Sequence, residues 1–192
     1  MQQSLKTQSV PTITLANLVT ASRIAAAALL ALAMLGGWPP ALAAALVAYA
    51  AATDALDGRI ARARREVTAF GAMLDQLADK IFIATALVLL IAKGAISGAD
   101  VLAALVILAR ETAVLALRRM ARLDGMAAPV SALAKVKTAS QYLAVFLLFA
   151  AAIEPGARVL LETGLAVLWI AAGLSLVTAT HYFMRMRENR WT

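Results

Sequence analysis

At 192 residues, 62% hydrophobic and 15% charged with a mean hydropathy of +0.81, the chain is too apolar for an ordinary soluble domain, where charged residues make up about 25%. It has no cysteine and one histidine, His181, which excludes disulfides, thiolate chemistry and a multi-histidine metal centre within one chain. The net charge of +7 points to membrane-facing loops and phosphate-bearing substrates, with no nucleic acid among the partners.

Residues 1–14 contain Lys6 and Pro11 but no apolar core and no small-residue cleavage site. They read as a cytoplasmic N-terminal segment and not as a signal peptide. Six apolar spans follow, at Asn17–Leu35, Ala41–Arg62, Ala69–Ile91, Asp100–Arg119, Leu133–Ala152 and Arg158–Met184. Between them lie helix-breaking runs such as Gly36-Gly37-Trp38-Pro39-Pro40, Gly94 to Gly98, Asp124-Gly125 to Pro129, and Glu154-Pro155-Gly156. The expected fold is all-α: one transmembrane catalytic domain over residues 1–192, an integral membrane bundle of six transmembrane helices ending in a cytoplasmic tail at 185–192. Because each connection is short, successive helices are expected to be antiparallel neighbours.

Lys and Arg placement sets the orientation. The first loop has no basic residue, the third holds Lys93, and the fifth has Arg158 at its edge. Most other basic residues lie near the N-terminus, in the second and fourth loops, and in the tail with Arg185, Arg187 and Arg190. Both termini are therefore expected in the cytoplasm (N-in/C-in).

Four carboxylates interrupt the second and third spans, at Asp54, Asp57, Asp75 and Asp79. Each costs about 2.5–3.5 kcal/mol at the centre of a membrane helix, so a chain that keeps four together is using them. Asp54, Asp57, Gly58, Ala61 and Arg62 step by three or four along one helix; Gly71, Asp75 and Asp79 step by four along the next. An antiparallel hairpin turning near Glu66 would bring the carboxylates to similar depth on facing stripes. Hard oxygen ligands of this kind suit Mg²⁺ or Mn²⁺, and four of them suffice to bridge two ions. Gly58 and Ala61 either leave room for a nucleotide or simply allow close helix packing. Arg62 offers a fork for phosphate.

The run Asp54-x-x-Asp57-Gly58-x-x-Ala61-Arg62, eight residues, then Gly71-x-x-x-Asp75-x-x-x-Asp79, resembles the signature of the CDP-alcohol phosphotransferases, with all eight fixed positions filled. The resemblance implies that family's fold and a homodimer, while Lys and Arg placement opens the aspartate motif to the cytoplasm and alanine and arginine richness points to a bacterial inner membrane. The resemblance also implies that all four aspartates bind metal and that Asp79 is the base that deprotonates the acceptor alcohol. Thr68 matches a Ser/Thr that contacts the CDP diphosphate. Asn17-Leu18-Val19-Thr20 resembles a segment lining the CDP-lipid site, although Asn17 could equally be a helix cap. By the same resemblance Gly58, Ala61, Arg62 and Gly71 belong to the CDP-lipid site with Asn17, Thr20 and Thr68. Arg23, one turn on, is placed to support a phosphate or to snorkel.

A second constellation concerns the acceptor. Arg110 and Glu111 lie deep in an apolar span, where such a pair is a functional hypothesis by default. Arg118, Arg119 and Arg122 follow, and Lys135-Val136-Lys137-Thr138 opens the fifth span. The runs Ala109-Arg110-Glu111-Thr112, Lys135-Val136-Lys137-Thr138 and Leu77-Ala78-Asp79-Lys80 resemble the phosphatidylglycerophosphate synthase branch; Gln76 departs from it where proline is common. This resemblance implies CDP-diacylglycerol and sn-glycerol 3-phosphate as substrates drawn from among membrane lipids and the cytoplasm. Arg110, Arg118, Lys135 and Lys137 would then hold the acceptor's phosphate. The rivals are a phosphatidylinositol-phosphate synthase or a cardiolipin synthase and, from another class, a divalent-cation transporter, which would release no CMP.

Overall fold

The computed structural model describes residues 15–64, 69–123, 132–154 and 156–188. All described regular structure is helical: α1 (Leu15–Leu35), α2 (Pro40–Arg64), α3 (Ala69–Ala92), α4 (Asp100–Leu123), α5 (Ala132–Ala151) and α6 (Arg158–Glu188). These bounds follow the apolar spans closely. The main differences are α4 and α6, which each run about one turn further. Nothing in Met120–Leu123 or Arg185–Glu188 breaks a helix, so the backbone continues after the apolar pattern has ended. Residues 1–14 and 189–192 fall outside the described residues.

Helix ends follow the glycines. After α3, Gly94 N–H bonds Ile91 C=O at 3.0 Å and Ala95 N–H bonds Leu90 C=O at 3.0 Å. These are the two bonds of a Schellman cap, and Gly94 has the φ of 77° that the cap demands. Gly37, with φ 68°, closes α1 in a related way, with Trp38 N–H on Ala33 C=O at 2.9 Å.

Among the described residues three helices are long and apolar enough to cross a membrane, over Asn17–Leu35, Leu133–Ala151 and Arg158–Met184; α2 has a shorter apolar part, Pro40–Leu56. The charged motif residues are what thin the apolar stretches of α2, α3 and α4.

Large apolar side chains point outward at Leu32, Val88, Leu102, Ile170 and Val177, while Arg23, Arg110, Glu111 and Lys137 are buried. A bundle with charge inside and aliphatic surface outside suits lipid as its solvent. Small residues carry much of the interior contact: Ala26, Ala27, Ala43, Ala44 and Ala50 are buried between α1 and its neighbours. In lipid this close backbone approach replaces the hydrophobic driving force.

The expectation that successive helices are neighbours holds for α1 with α2 and for α5 with α6. It fails elsewhere. Among the described residues α3 packs chiefly on α1, α4 rests on α6, α2 meets α3 only narrowly, and α4 and α5 do not pack together. Their motif-bearing faces enclose a cavity, so these helices find their tight contacts on other sides.

The α5–α6 seam depends on Gly164, where an added Cβ would lie 2.9 Å from both Cγ and Cδ2 of Leu148. Leu148 is itself 1% exposed and has nowhere to move. Gly164→Leu should therefore lower stability by about 1–3 kcal/mol. Gly173→Ala, with nothing within 4 Å of its new methyl, should be neutral or mildly stabilising. Thermal unfolding of the two variants in detergent checks the contrast.

Candidate active site

The cavity between α2, α3, α4 and α5 has a volume of about 820 Å³, within the range of small-molecule sites. Its walls have opposite charge. On one side are Asp54 of α2 and Asp75 and Asp79 of α3; on the other are Arg110 and Glu111 of α4 and Lys135 and Lys137 of α5, with Lys80 joining from α3.

The acidic wall is organised by α1. Asn17, Thr20 and Arg23 step by three, and all are buried, Arg23 at 0% exposure. Arg23 does not snorkel. Its Nη1 donates to Asp54 Oδ1 at 3.1 Å and to Asp75 Oδ1 at 3.3 Å. The two carboxylates, one from α2 and one from α3, thus meet at a single guanidinium nitrogen supplied by a third helix. Both remain partly exposed toward the cavity, at 30% and 43%. No described α1 residue lines the cavity, so Asn17 and Thr20 stand on the stripe behind its wall.

Asp79 sits one turn further along α3. Its Oδ1 is buried with no close hydrogen bond, as is the Tyr142 hydroxyl on α5, and the two groups face each other. Tyr142 also lines the cavity, and its ring stacks on Phe82 of α3 with centroids 6.0 Å apart. A buried carboxylate oxygen with no close hydrogen bond is a suitable seat for a hard cation or an incoming hydroxyl. Among the described residues, however, no three His, Cys, Asp or Glu side chains are grouped closely enough to hold an ion. Asp57, Gly58, Ala61 and Arg62 lie on α2 and Arg118 on α4, but their side chains are outside the described set, as is Thr68 altogether. Gly71 is on α3, one turn before Asp75.

The basic wall is built around Glu111, a buried carboxylate. It accepts from Arg110 Nη1 at 2.8 Å and from the ammonium groups of Lys80 and Lys137. Arg110 also donates from Nε to Ser175 C=O at 3.0 Å and from Nη2 to Thr178 Oγ1 at 2.8 Å. One ionic cluster thus joins α3, α4, α5 and α6. Three cations around one anion leave a surplus of positive charge where Lys135, exposed on the next face of α5, adds its own.

Sequence reasoning had read the Arg110–Glu111 pair as functional but had not assigned Lys80 to it, nor Ser175 and Thr178 as Arg110's partners. Two lysines inside apolar helices signal that each needs a buried anion, and Glu111 is the carboxylate available to both. The Asn17–Thr20–Arg23 spacing likewise marks an inward polar stripe. His181 is exposed on α6, and Trp169 donates to Asp100 Oδ1 at 2.8 Å as an edge contact.

Comparison with known proteins adds an independent line. A family model described as CDP-alcohol phosphatidyltransferase matches residues 13–178. A Rickettsia bellii protein named CDP-diacylglycerol–glycerol-3-phosphate 3-phosphatidyltransferase is 39% identical over 176 residues, 91% of this chain and 96% of its own. A Rickettsia felis protein of the same name is 40% identical over 147 residues, 77% of this chain and 80% of its own. A protein of Oryza sativa subsp. japonica named cardiolipin synthase (CMP-forming) is 35% identical over 189 residues, covering 91% of this chain and 57% of its own.

Removing Glu111 leaves buried cations uncompensated, so Glu111→Ala should cost about 3–5 kcal/mol of stability. Thr178→Val removes one charge-assisted hydrogen bond and should cost about 1.5–3 kcal/mol. Equal melting temperatures for Glu111→Ala and the parent protein in detergent would show that the cluster does not hold these helices together.

Proposed function

The chain belongs to the CDP-alcohol phosphatidyltransferase family, and from that premise we propose that it transfers the phosphatidyl group of CDP-diacylglycerol to sn-glycerol 3-phosphate, yielding phosphatidylglycerophosphate and CMP. One observation carries this reading beyond the family: a single cavity sets Asp54, Asp75 and Asp79 against a cationic wall with Lys135 and Lys137. A donor diphosphate suits the first wall once divalent ions are present. An acceptor that carries its own phosphate suits the second.

In the proposed reaction the primary hydroxyl of glycerol 3-phosphate forms a bond to the β-phosphorus of CDP-diacylglycerol. The bond from that phosphorus to the oxygen bridging to CMP breaks, and CMP leaves with the electron pair. Asp79, which lines the cavity opposite the cationic wall, takes the hydroxyl proton as general base. Lys135 and Lys137 hold the acceptor's phosphate, with Arg118. Arg110 joins them with the donors left on its terminal nitrogens after its bonds to α6 and Glu111. Gly58, Ala61, Arg62, Thr68 and Gly71 cradle the CDP portion, and Asn17 and Thr20 support that end from α1.

The family is generally dependent on divalent cations. Asp54, Asp57, Asp75 and Asp79 would hold two Mg²⁺ or Mn²⁺ ions, whose chemistry is to neutralise charge on the diphosphate and on the departing CMP. The proposal places six spans in a bacterial inner membrane with both termini and the cavity on the cytoplasmic side, and a homodimer as the working unit. Lipid-facing helix surfaces let the diacyl substrate reach the cavity from the bilayer.

Purified protein given CDP-diacylglycerol should release CMP with glycerol 3-phosphate in clear preference to inositol phosphate or phosphatidylglycerol. Chelation of divalent ions should abolish release, and Asp79→Asn should lower kcat by about 10²–10⁴-fold. Preference for phosphatidylglycerol would make the chain a cardiolipin synthase, and absence of CMP release with every acceptor would defeat the reading.

A further inference from the structure

We propose that Arg23 is the resident counter-ion of the acidic wall, holding Asp54 and Asp75 beside one another while no divalent cation is bound. The proposal rests on the reading of these aspartates as ion ligands. Its geometric basis is independent of that reading.

Arg23 has no exposed surface, yet it lies on a helix whose span Asn17–Leu35 is otherwise apolar enough to cross a membrane. A guanidinium cannot shed its proton there, so its charge has to be met by anions. The anions it meets belong to α2 and α3, helices that touch only narrowly. Without Arg23, two partly exposed carboxylates would face each other with little to hold them together, since like charges at that range repel.

The position of Arg23 also suits a counter-ion better than a substrate ligand. It is absent from the cavity lining, whereas Asp54 and Asp75 line it and keep 30% and 43% of their side-chain surface open. It approaches the Oδ1 atoms from behind, so a cation entering from the cavity need not displace it. A single terminal nitrogen, Nη1, reaches both carboxylates. Arg23 is thus a positioning residue, acting through the aspartates.

Arg23→Met keeps most of the packing volume and removes the charge. Its melting temperature in detergent should be compared with that of the parent protein in chelator and in saturating Mn²⁺. The expected result is a melting-temperature loss in chelator roughly twice that in Mn²⁺ or more, since the added cation takes over the compensation. Arg23→Lys, which retains charge, should recover most of the loss in chelator. If Arg23→Met can be purified only with Mn²⁺ present, that also supports the proposal. An equal loss in both conditions means that Arg23 merely fills space, and overturns the proposal alone. If Mn²⁺ changes the melting temperature of neither protein, the ion-ligand reading falls and this proposal falls with it. Should Arg23→Met fail to fold in either condition, Arg23→Lys decides: a melting temperature in chelator close to the parent's supports the counter-ion role, because charge without the guanidinium's shape then suffices, and a large loss overturns it.

Discussion

Charge inside an apolar bundle has to be compensated inside that bundle. An ion taken from water into a medium of low dielectric loses solvation worth several kcal/mol even after relaxation, and only a close partner restores it. In this protein that requirement arranges the helices. Glu111 collects Lys80, Lys137 and Arg110, and Arg110 reaches on to Ser175 and Thr178, so α3, α4, α5 and α6 share one ionic centre. Arg23 does the same for α1, α2 and α3 through Asp54 and Asp75. Aliphatic contact could slide by a turn; these ionic bonds cannot, because each has a single geometry that satisfies it.

The two clusters also account for the chemistry. They stand on opposite walls of one cavity, which makes that space bipolar before any substrate arrives. Charges partly withdrawn from water act more strongly on one another than the same charges fully on a surface. The aliphatic exterior suits lipid as the solvent around this charged interior.

Much of this was legible in the chain itself. Six apolar spans, their glycine and proline punctuation and the extent of α1 to α6 agree because helix length and termination are local properties. The aspartate motif was equally plain, since positions three and four apart on a helix share a face whatever surrounds it. The extra turns of α4 and α6 are not legible in an apolar pattern, because helix hydrogen bonding continues past it until a residue interrupts.

Local periodicity alone determined which residues could face inward: Asn17, Thr20 and Arg23 on one stripe, and the aspartates on two others. Packing decided which of them would meet. Arg23 finds Asp54 across 31 positions and Asp75 across 52, and Arg110 finds Thr178 across 68. Separations of that size carry no periodic signal. They depend on α1 entering between α2 and α3, and on α4 leaning against α6, choices that follow from balancing every buried charge at once.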